Sequence, residues 1–529
     1  MRKTLVIKIF TVLCLGFSFF SAKSQQVNTM YFMENVPVRN YLNPAFQPLN
    51  DFYLGFPVLG YTQLGIGNNS LTLKDFAYND ASGKPIWFMN KNGNKDKFFN
   101  VLKPSLLFQA NFQINILDVG FRTGKAYWTL SLTEKAEGQM GLPNDLLKFL
   151  LYGTPDMDKN SYDFSSLGGD ATLYTEAALG YSRKMNKKLS VGAKLKLLLG
   201  TANVSGSIND LKLNAGIDEW RLVGNGSANY SSPVDLNGNS LKTFDPNIDL
   251  TLSQWLKPSG MGGGIDFGVV YKPLDELTIS AAVNDLGFIR WNKNLKNMNF
   301  STDAKFSGLD YTVKIKTVDD FKDFADSVFN SIKDTRKDSI VSNNAYTTYT
   351  SPKLNIGVEY AFLKNKLSVG LLSRTLLHNK VPYEELTASI NGRPIDWFNM
   401  SLSYSVLNGR MSNIGAGLGL RTGFIHWFLS ADYIPVKYAT VDLTSASLQA
   451  NTPVPYSTKG INMALGINLV FGNRLDEDKD GVIDRKDKCP DTPRGVIVDK
   501  CGCPVDAESI GDPDYMLKSR IRPTKPNEK

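Results

Sequence analysis

Histidine and cysteine are scarce in this chain, and long apolar runs are missing beyond its first residues. Its 529 residues include two histidines, His378 and His426, and four cysteines. The sequence has no HExxH motif, no histidine cluster and no serine–histidine–aspartate set with supporting spacing. We therefore expect no catalytic residues and no enzyme. No run of 18 uncharged apolar residues follows the N-terminus, which argues against a helical membrane protein.

The charge balance is also nearly neutral. The chain has 59 Lys and Arg against 51 Asp and Glu, a formal net charge of +8. Four of the basic residues lie within residues 1–24, so the remainder has 55 against 51. A surplus this small gives no reason to expect nucleic acid as a partner.

Residues 1–24 have the composition of an export signal. Basic residues at positions 2 and 3 precede an apolar stretch, and residues 22–24 (AKS) form a small-x-small site. We expect cleavage before Gln25, with a retained membrane anchor as the alternative. Cys14 follows a leucine, so lipid attachment is not expected. Export permits a disulfide, but the three remaining cysteines, Cys489, Cys501 and Cys503, leave one thiol over.

The body of the chain alternates between apolar and polar residues with a period of two. Residues 397–407 place Phe398, Met400, Leu402, Tyr404 and Val406 on one face and mostly serines on the other. Similar patterns occur at 189–199, 265–271, 277–283, 354–362 and 461–471. Strict alternation predicts β-strands with one apolar and one polar face.

Two folds produce this pattern. A soluble sandwich buries the apolar face between sheets, whereas an outer-membrane barrel turns it toward lipid. The segments run about 9–13 residues, longer than soluble strands and suited to tilted membrane strands. The sequence therefore favours an all-β, transmembrane antiparallel barrel.

Fourteen strands are predicted, with connections that alternate between short and long. The strands are expected at 52–66, 105–120, 126–134, 171–183, 188–200, 263–271, 277–291, 352–361, 367–375, 397–407, 413–421, 424–434, 438–449 and 459–471. Short turns are expected at 122–125, 184–188, 273–276, 363–366 and 408–409, and long connections at 67–104, 135–170, 201–262, 292–351 and 376–396. The tight turn at 422–423 is an exception, because this count places it on the long-loop side. An even count otherwise puts the short turns and both barrel ends on one side, as in bacterial barrels.

Charged residues on the polar faces are expected to point into the lumen. They are Lys194, Lys196, Asp266 and Glu359. Helical spacing within the long connections predicts short helices at 144–152 and 317–334, which we expect to pack over the barrel mouth, with a binding lid as the alternative. His426, between Ile425 and Trp427, is expected at the membrane interface beside an aromatic belt.

An acidic loop follows the last predicted strand. Carboxylates at loop positions 1, 3, 5, 9 and 12, a glycine at position 6 and a backbone carbonyl at position 7 match a calcium-binding loop. The predicted ligands are Asp476, Asp478, Asp480, Val482, Asp484 and Asp487. Oxygen ligands without a histidine or thiol favour Ca²⁺ over Zn²⁺. The alternative is an acidic linker without a metal.

This acidic loop and the residues after it resemble a thrombospondin type 3 repeat. The resemblance covers 476–490 (DEDKDGVIDRKDKCP) and continues through 491–495, 498–499 and 502–504. In OmpA-family proteins such repeats link an outer-membrane barrel to a peptidoglycan-binding domain. The resemblance implies bound Ca²⁺ and a Cys489–Cys503 pair, although Cys501 departs from the pattern. About 25 residues follow Pro504, so we expect no peptidoglycan-binding domain.

A second resemblance covers about residues 40–472. Asn43-Pro44-Ala45 before the first strand, the strand number and residues 282–291 (AVNDLGFIRW) look like an uncharacterised, FadL-like family of Gram-negative outer-membrane barrels. This resemblance implies a barrel of the fatty-acid-transporter type.

Three functional hypotheses follow from these patterns. The first is a structural or assembly role in the cell envelope, with outer-membrane lipid and an envelope protein as partners. The second is a transporter or channel for small, hydrophobic solutes, and the third and weakest is an exported enzyme. If the barrel were instead a soluble sandwich, a secreted calcium-binding adhesin would be the alternative.

The expected organisation has four parts. They are a signal peptide at 1–24, an outer-membrane barrel at 25–472, a calcium-binding repeat at 473–505 and a polar tail at 506–529. The C-terminal extension is expected in the periplasm.

Overall fold

The computed structural model describes most of the chain beyond the predicted signal. The described residues are 27–79, 85–87, 94–152, 161–215, 220–233, 257–306, 338–363, 365–378, 381–407, 410–434, 438–441, 452–455, 459–472, 482, 487–489, 492, 496–499 and 501–505. Their strands, β1 to β24 in chain order, are Phe52–Gly55, Thr62–Asn68, Ala77–Asn79, Pro85–Trp87, Ser105–Thr123, Ala126–Pro143, Ser161–Asp163, Gly168–Lys184, Leu189–Ala215, Trp220–Ser231, Gly260–Tyr271, Leu277–Trp291, Lys296–Phe306, Asp338–Ser342, Tyr346–Tyr349, Lys353–Phe362, Leu367–His378, Val381–Ile395, Phe398–Leu407, Arg410–Thr422, Ile425–Asp432, Tyr438–Val441, Thr452–Pro455 and Gly460–Phe471.

Fourteen antiparallel strands close into a barrel. β1 and β2 form its first strand in two pieces, because both pair with β24 on one side and with β5 on the other. The ring then runs through β6, β8, β9, β11, β12, β16, β17, β18, β19, β20 and β21 back to β24. The predicted fold class and strand number are confirmed.

The barrel is apolar outside and polar inside. Along β19, Met400, Leu402 and Tyr404 are 46%, 61% and 42% exposed, while the serines between them are buried. A water-soluble sandwich would show the reverse. This arrangement is that of a barrel whose outer wall faces lipid, and it resolves the choice between the two folds.

The two ends of the barrel differ in their connections. At one end, six turns of two to five residues join β5 to β6, β8 to β9, β11 to β12, β16 to β17, β18 to β19 and β20 to β21. We call this the short-turn end, and both β1 and β24 have their outer termini there. The opposite, loop end carries the long connections and two tight ones, after His378 and after Leu407.

One barrel strand was missed and one predicted strand lies outside the barrel, although the number is right. Residues 376–396 were expected to be a connection, but β17 continues to His378 and β18 spans Val381–Ile395. Residues 438–449 were expected in the barrel, but β22 pairs with β23 in a separate two-stranded sheet. With both changes, the turn after Thr422 falls at the short-turn end, whereas the connection after Leu407, predicted at the short-turn end, falls at the loop end.

Helices occupy little of the described chain. Two 3₁₀-helices span Thr29–Phe32 and Pro37–Tyr41, and three α-helices span Leu73–Phe76, Lys95–Val101 and Asn144–Tyr152. The last confirms the predicted helix at 144–152, whereas residues 317–334 lie outside the described residues. Among the helices that the structure describes, none has the length and apolar character needed to span a membrane.

Candidate functional site

The N-terminal segment fills the lumen of the barrel. We call residues 27–50 the plug; they contain both 3₁₀-helices. Val27, Met30 and Val38 have no exposed surface, and they belong to one apolar core with side chains of the inner wall such as Tyr53 and Phe428. A barrel of about eight strands can be filled by its own side chains, whereas a wider one leaves space inside. Here the plug occupies that space.

Glycines on the inner wall make room for the plug. A Cβ atom on Gly370 would lie 2.6 Å from the ring of Phe32, and one on Gly357 would lie 2.6 Å from the ring of Tyr31. Glycine within a strand commonly marks a place where another group approaches the backbone closely. The wall therefore has glycine at positions where a larger side chain would collide with the plug.

Gly192 and Gly268 together form a notch for the Asn43-Pro44 step. They are paired across β9 and β11. A Cβ on Gly192 would collide with the backbone of Pro44 and Ala45, and a Cβ on Gly268 with the side chain of Asn43. We call this pair the glycine notch, and the main chain of the plug rests directly on it.

The Asn-Pro-Ala motif turns the plug and ties it to the wall. The Ala45 amide donates to Asn43 Oδ1 at 2.9 Å, which closes a local turn. Asn43 Nδ2 donates to the carbonyl of Ala281 at 3.2 Å. Asn284 and Asn355 each donate from Nδ2 to the carbonyl of Leu42, at 2.8 and 2.9 Å. Wall side chains thus satisfy main-chain groups that the irregular plug leaves unpaired.

The start of the plug is held near the loop end. The Asn28 amide donates to Asp432 Oδ2 at 2.5 Å, and the amide and hydroxyl of Thr29 both donate to Asp432 Oδ1. Arg374 Nη1 donates to Asn28 Oδ1 at 2.6 Å. A carboxylate that accepts two amides at the start of a helical turn anchors the turn strongly.

A second anchor lies near the short-turn end. Glu34 of the plug forms an ion pair with Arg393, whose Nη2 also donates to Glu359 Oε1 at 2.8 Å. Burial alone would raise the pKa of Glu34, but the positive charges of Arg393, Lys272 and Arg39 together outweigh it and hold that pKa well below its usual range. The Glu34 carboxylate is therefore charged at neutral pH.

Six charged side chains meet in the lumen beside the plug. They come from β6, β8, β9, β11, β12 and β16, and they are Lys135, Glu176, Lys196, Asp266, Asp285 and Lys353. All six are less than 9% exposed, and three positive charges balance three negative ones. We call them the ionic cluster. Because a buried charge needs a partner, the cluster ties six neighbouring strands together across the lumen.

Asp285 is the centre of the ionic cluster. It accepts from Lys196 at 2.6 Å, from Lys353 at 2.6 Å and from Lys135 at 3.3 Å. Its φ of 58° lies in the left-handed region, at a bulge where β11 and β12 shift register. Its amide donates to Asp266 Oδ1 at 2.7 Å. The bulge turns Asp285 into the lumen, where regular pairing would place the next residue.

The residues predicted to face the lumen do lie on the inner wall. Lys196 and Asp266 are 2.7 Å apart within the ionic cluster. Lys194 Nζ donates to Asn40 Oδ1 of the plug at 3.2 Å and lies 4.1 Å from the centre of the Tyr41 ring. Glu359 belongs to the anchor at the short-turn end. The four predicted positions therefore occupy three different places in the lumen.

Sequence reasoning missed most of the plug's partners and four of the six residues of the ionic cluster. Glu176 lies on the polar face of a predicted strand and could have been included. Asp285 was hidden because the apolar alternation changes phase after Val283, and such a change is itself a sign of a bulge.

The prediction for His426 is wrong: the side chain is buried against Phe428 inside the barrel, and Trp427 is the lipid-facing neighbour. His378 ends β17, and its side chain lies outside the described residues.

Little of the predicted calcium loop can be described. Val482 and Asp487 lie within the described residues, whereas Asp476, Asp478, Asp480 and Asp484 do not. Cys489 and Cys503 form a disulfide, and Cys501 is free. Within the described part of the chain, no group of three His, Cys, Asp or Glu side chains is placed to hold a metal ion.

Residues 44–432 match a family of unknown function, DUF5723. The chain belongs to this family. The match covers β1 to β21 and most of the inner wall. It begins at Pro44, within the plug, and ends at Asp432, which binds the start of the plug.

Other similarities are partial or distant. The outer membrane porin F of Pseudomonas aeruginosa is 35% identical over 103 residues, 19% of this chain; the match spans less than a third of that protein, 29%. The toluene transporter TodX of P. putida has a TM-score of 0.36 at 9% identity, over 82% of this chain and 93% of TodX. A FadL homologue of Pseudomonas aeruginosa has a TM-score of 0.37 at 12% identity, over 86% of this chain and 100% of that one. At these coverages, identities and TM-scores, the binding and transport properties of those proteins are not evidence about this chain.

Proposed function

We propose that this protein is an outer-membrane channel for small hydrophobic solutes, with the plug as its gate. The observation that carries the proposal is a lumen wider than its wall can fill, closed by a separate segment of the same chain. A purely structural anchor needs no such lumen, because about eight strands suffice to span a membrane. The plug is held by hydrogen bonds, ion pairs and apolar contacts, and all of these noncovalent contacts can break and form again.

Apolar clusters at the loop end support a hydrophobic solute. One contains Leu71, Phe98, Phe99 and Leu106, and its two phenylalanines belong to the helix Lys95–Val101. A second surrounds Phe149, whose ring lies 5.5 Å from Tyr162, 6.0 Å from Phe164 and 5.7 Å from Trp220. These side chains are largely buried, so a solute from this end would have to enter between them, into the apolar and aromatic surroundings typical of ligand sites.

A disulfide lock across the plug tests the gate. The hydroxyls of Thr29 and Ser403 are 2.6 Å apart, so cysteines at both positions should bond the plug to β19. The double variant should lose uptake of an apolar fluorescent probe into vesicles when oxidised and regain it after reduction. Ser403→Cys alone and the unchanged protein, treated identically, are the controls. Equal uptake by the oxidised and reduced double variant would show that the plug does not gate.

The fit of the plug also favours a second candidate, a closed barrel with a structural role. In that case the unlocked protein would be silent both in planar-bilayer conductance and in probe uptake. Either function requires the outer membrane, with the short-turn end toward the periplasm as in bacterial barrels. Gel mobility of the protein from the outer-membrane fraction, with and without boiling in SDS, tests the location.

We further propose that the acidic loop binds Ca²⁺ and stiffens a periplasmic extension of the thrombospondin type 3 kind. The donor set supports this, because carboxylates and one carbonyl are the ligands that Ca²⁺ prefers. Titration calorimetry on the full protein should show binding at about 10⁻⁴–10⁻³ M. Asp480→Asn should weaken it, and identical heats for both proteins would contradict the site.

A further inference from the structure

We propose that the outer wall at the loop end of β11, β12 and β15 binds the phosphorylated headgroup of an outer-leaflet glycolipid. The cations that would contact the phosphate are Arg290, Lys257 and Lys293. This site is on the lipid side of the barrel, opposite the lumen. It depends on the proposed orientation in the membrane but not on transport.

The bulge in β12 determines which residues face lipid at this end. Before the bulge, odd-numbered residues such as Ile279 face outward; after it, even-numbered residues do. Phe288 is 48% exposed, while Ile289 and Trp291 are buried inside. Arg290 is exposed and therefore lies on the outer wall. Without the register shift, this guanidinium would point into the lumen.

Arg290 lies at the height of the membrane boundary. Ile279 pairs with Tyr271, which is exposed on the outer wall near the short-turn end. Arg290 is eleven residues after Ile279, and one of these is the extra residue of the bulge, so the strand advances by ten steps between them. At about 3.3 Å per step and a tilt of about 40°, this is a rise of about 25 Å, the height of the apolar band in such barrels. Arg290 is thus placed where hydrocarbon gives way to headgroups.

Two lysines extend the positive charge at the same end. The Lys293 amide donates to the carbonyl of Ser259 at 3.2 Å, which brings the end of β12 beside the start of β11. Lys257 is two residues before Ser259, and both lysine side chains are exposed. The three cations therefore come from neighbouring chain segments at one rim.

Carboxylates on these strands face the other way. β11, β12 and β15 contain two acids, Asp266 and Asp285, and both are buried in the ionic cluster. On the outer side of these described strands, the cations therefore have no carboxylate opposite them. A phosphate would supply the missing charge.

Apolar side chains lie directly beneath and beside the cations. Met261, 53% exposed, pairs with Arg290, and Phe288 pairs with Tyr349, which is 81% exposed. An aromatic ring at this height is typical of the membrane interface. The surface offers acyl-chain contact below and anion contact above, which suits a lipid with a phosphorylated head better than a free anion.

The test measures retention of hexa-acylated, bis-phosphorylated lipid A on the detergent-solubilised full protein by native mass spectrometry. The triple variant Arg290→Gln, Lys257→Gln, Lys293→Gln is compared with the unchanged protein and with the same lipid after phosphate removal. The matched control is Lys187→Gln, Lys188→Gln, Lys272→Gln, three exposed lysines at the short-turn end, in the β8–β9 and β11–β12 turns. Boiling-dependent gel mobility checks that every variant is a closed barrel.

We expect at least tenfold weaker retention by the triple variant, no change in the control, and similar weakening when the lipid lacks its phosphates. Millimolar inorganic phosphate should compete poorly, because it lacks the acyl chains. Full competition by phosphate would reassign the surface to a free anion and overturn the lipid proposal. Equal retention by the triple variant and the unchanged protein would also overturn it. Neither result bears on uptake through the lumen.

Discussion

The glycine notch gives the most direct test of how the plug is seated. In Gly192→Ala, the added methyl group would meet the backbone of Pro44 and Ala45, not the movable end of a side chain. Overpacking of this kind costs about 1–3 kcal/mol. Because the clash exists only while the plug is docked, the docking equilibrium should shift by about 5- to 150-fold toward release.

The assay follows the plug and the barrel separately. Protease cleavage within residues 27–50 should become faster in Gly192→Ala, and channel openings in planar bilayers should become more frequent, while the boiling-dependent gel shift stays unchanged. Gly138→Ala is the matched control, since its nearest neighbour to the new Cβ would be 3.5 Å away. If Gly192→Ala protects its plug as well as the unchanged protein does, the main chain of the plug does not rest on this notch.

Three further predictions concern the wall and its charges. Leu402→Arg, at the middle of β19 on the lipid side, should lower the free energy of unfolding in vesicles by about 2–4 kcal/mol, and Phe398→Arg near the short-turn end by about 0–1; equal losses would contradict the assigned depth. Asp285→Asn should lower it by about 3–5 kcal/mol because buried lysines lose their partner, and adding Lys353→Met should recover part of that loss in urea titrations. Glu34 has a lowered pKa when the plug is docked, so its contribution to the free energy of docking should be complete above about pH 4.3 and fall as the pH drops further. If protease protection of the plug is already lost between pH 8 and 6, a group other than Glu34 is responsible.

The strand pattern could be derived from the sequence because lipid and lumen impose opposite demands on neighbouring residues. Where that contrast weakens, the prediction fails. In Val381–Ile395 the outward positions include Glu384, and Pro382, Gly392 and Pro394 lie near its ends, so its alternation is short. In 438–441 the alternation is present, but these residues pair with β23 in a separate two-stranded sheet. Alternation shows that a strand forms, but not which sheet it joins.

The plug could not be derived in the same way. Its residues have no period, since two short 3₁₀-helices and turns present every side to the wall. Its sequence signals lie instead in its partners, for example the alternate glycines Gly415, Gly417 and Gly419 on the inner face of β20. A Cβ on Gly417 would collide with Met33. Small residues that recur on the polar face of a strand indicate that another segment packs against that face, but they do not show which segment it is.

The anchors of the plug have a consequence for the order of assembly. Asn28 binds Asp432, and these residues are separated by 404 positions along the chain. The N-terminal plug must therefore wait for one of the last strands of the barrel before its anchor is complete. Contacts so distant in sequence form late, because their closure entropy is recovered only when the intervening chain is ordered. We expect an empty, closed barrel as the last intermediate, with its own N-terminus still outside the lumen. Any factor that binds residues 27–50 during this interval would keep the lumen empty in newly assembled molecules while leaving mature ones untouched.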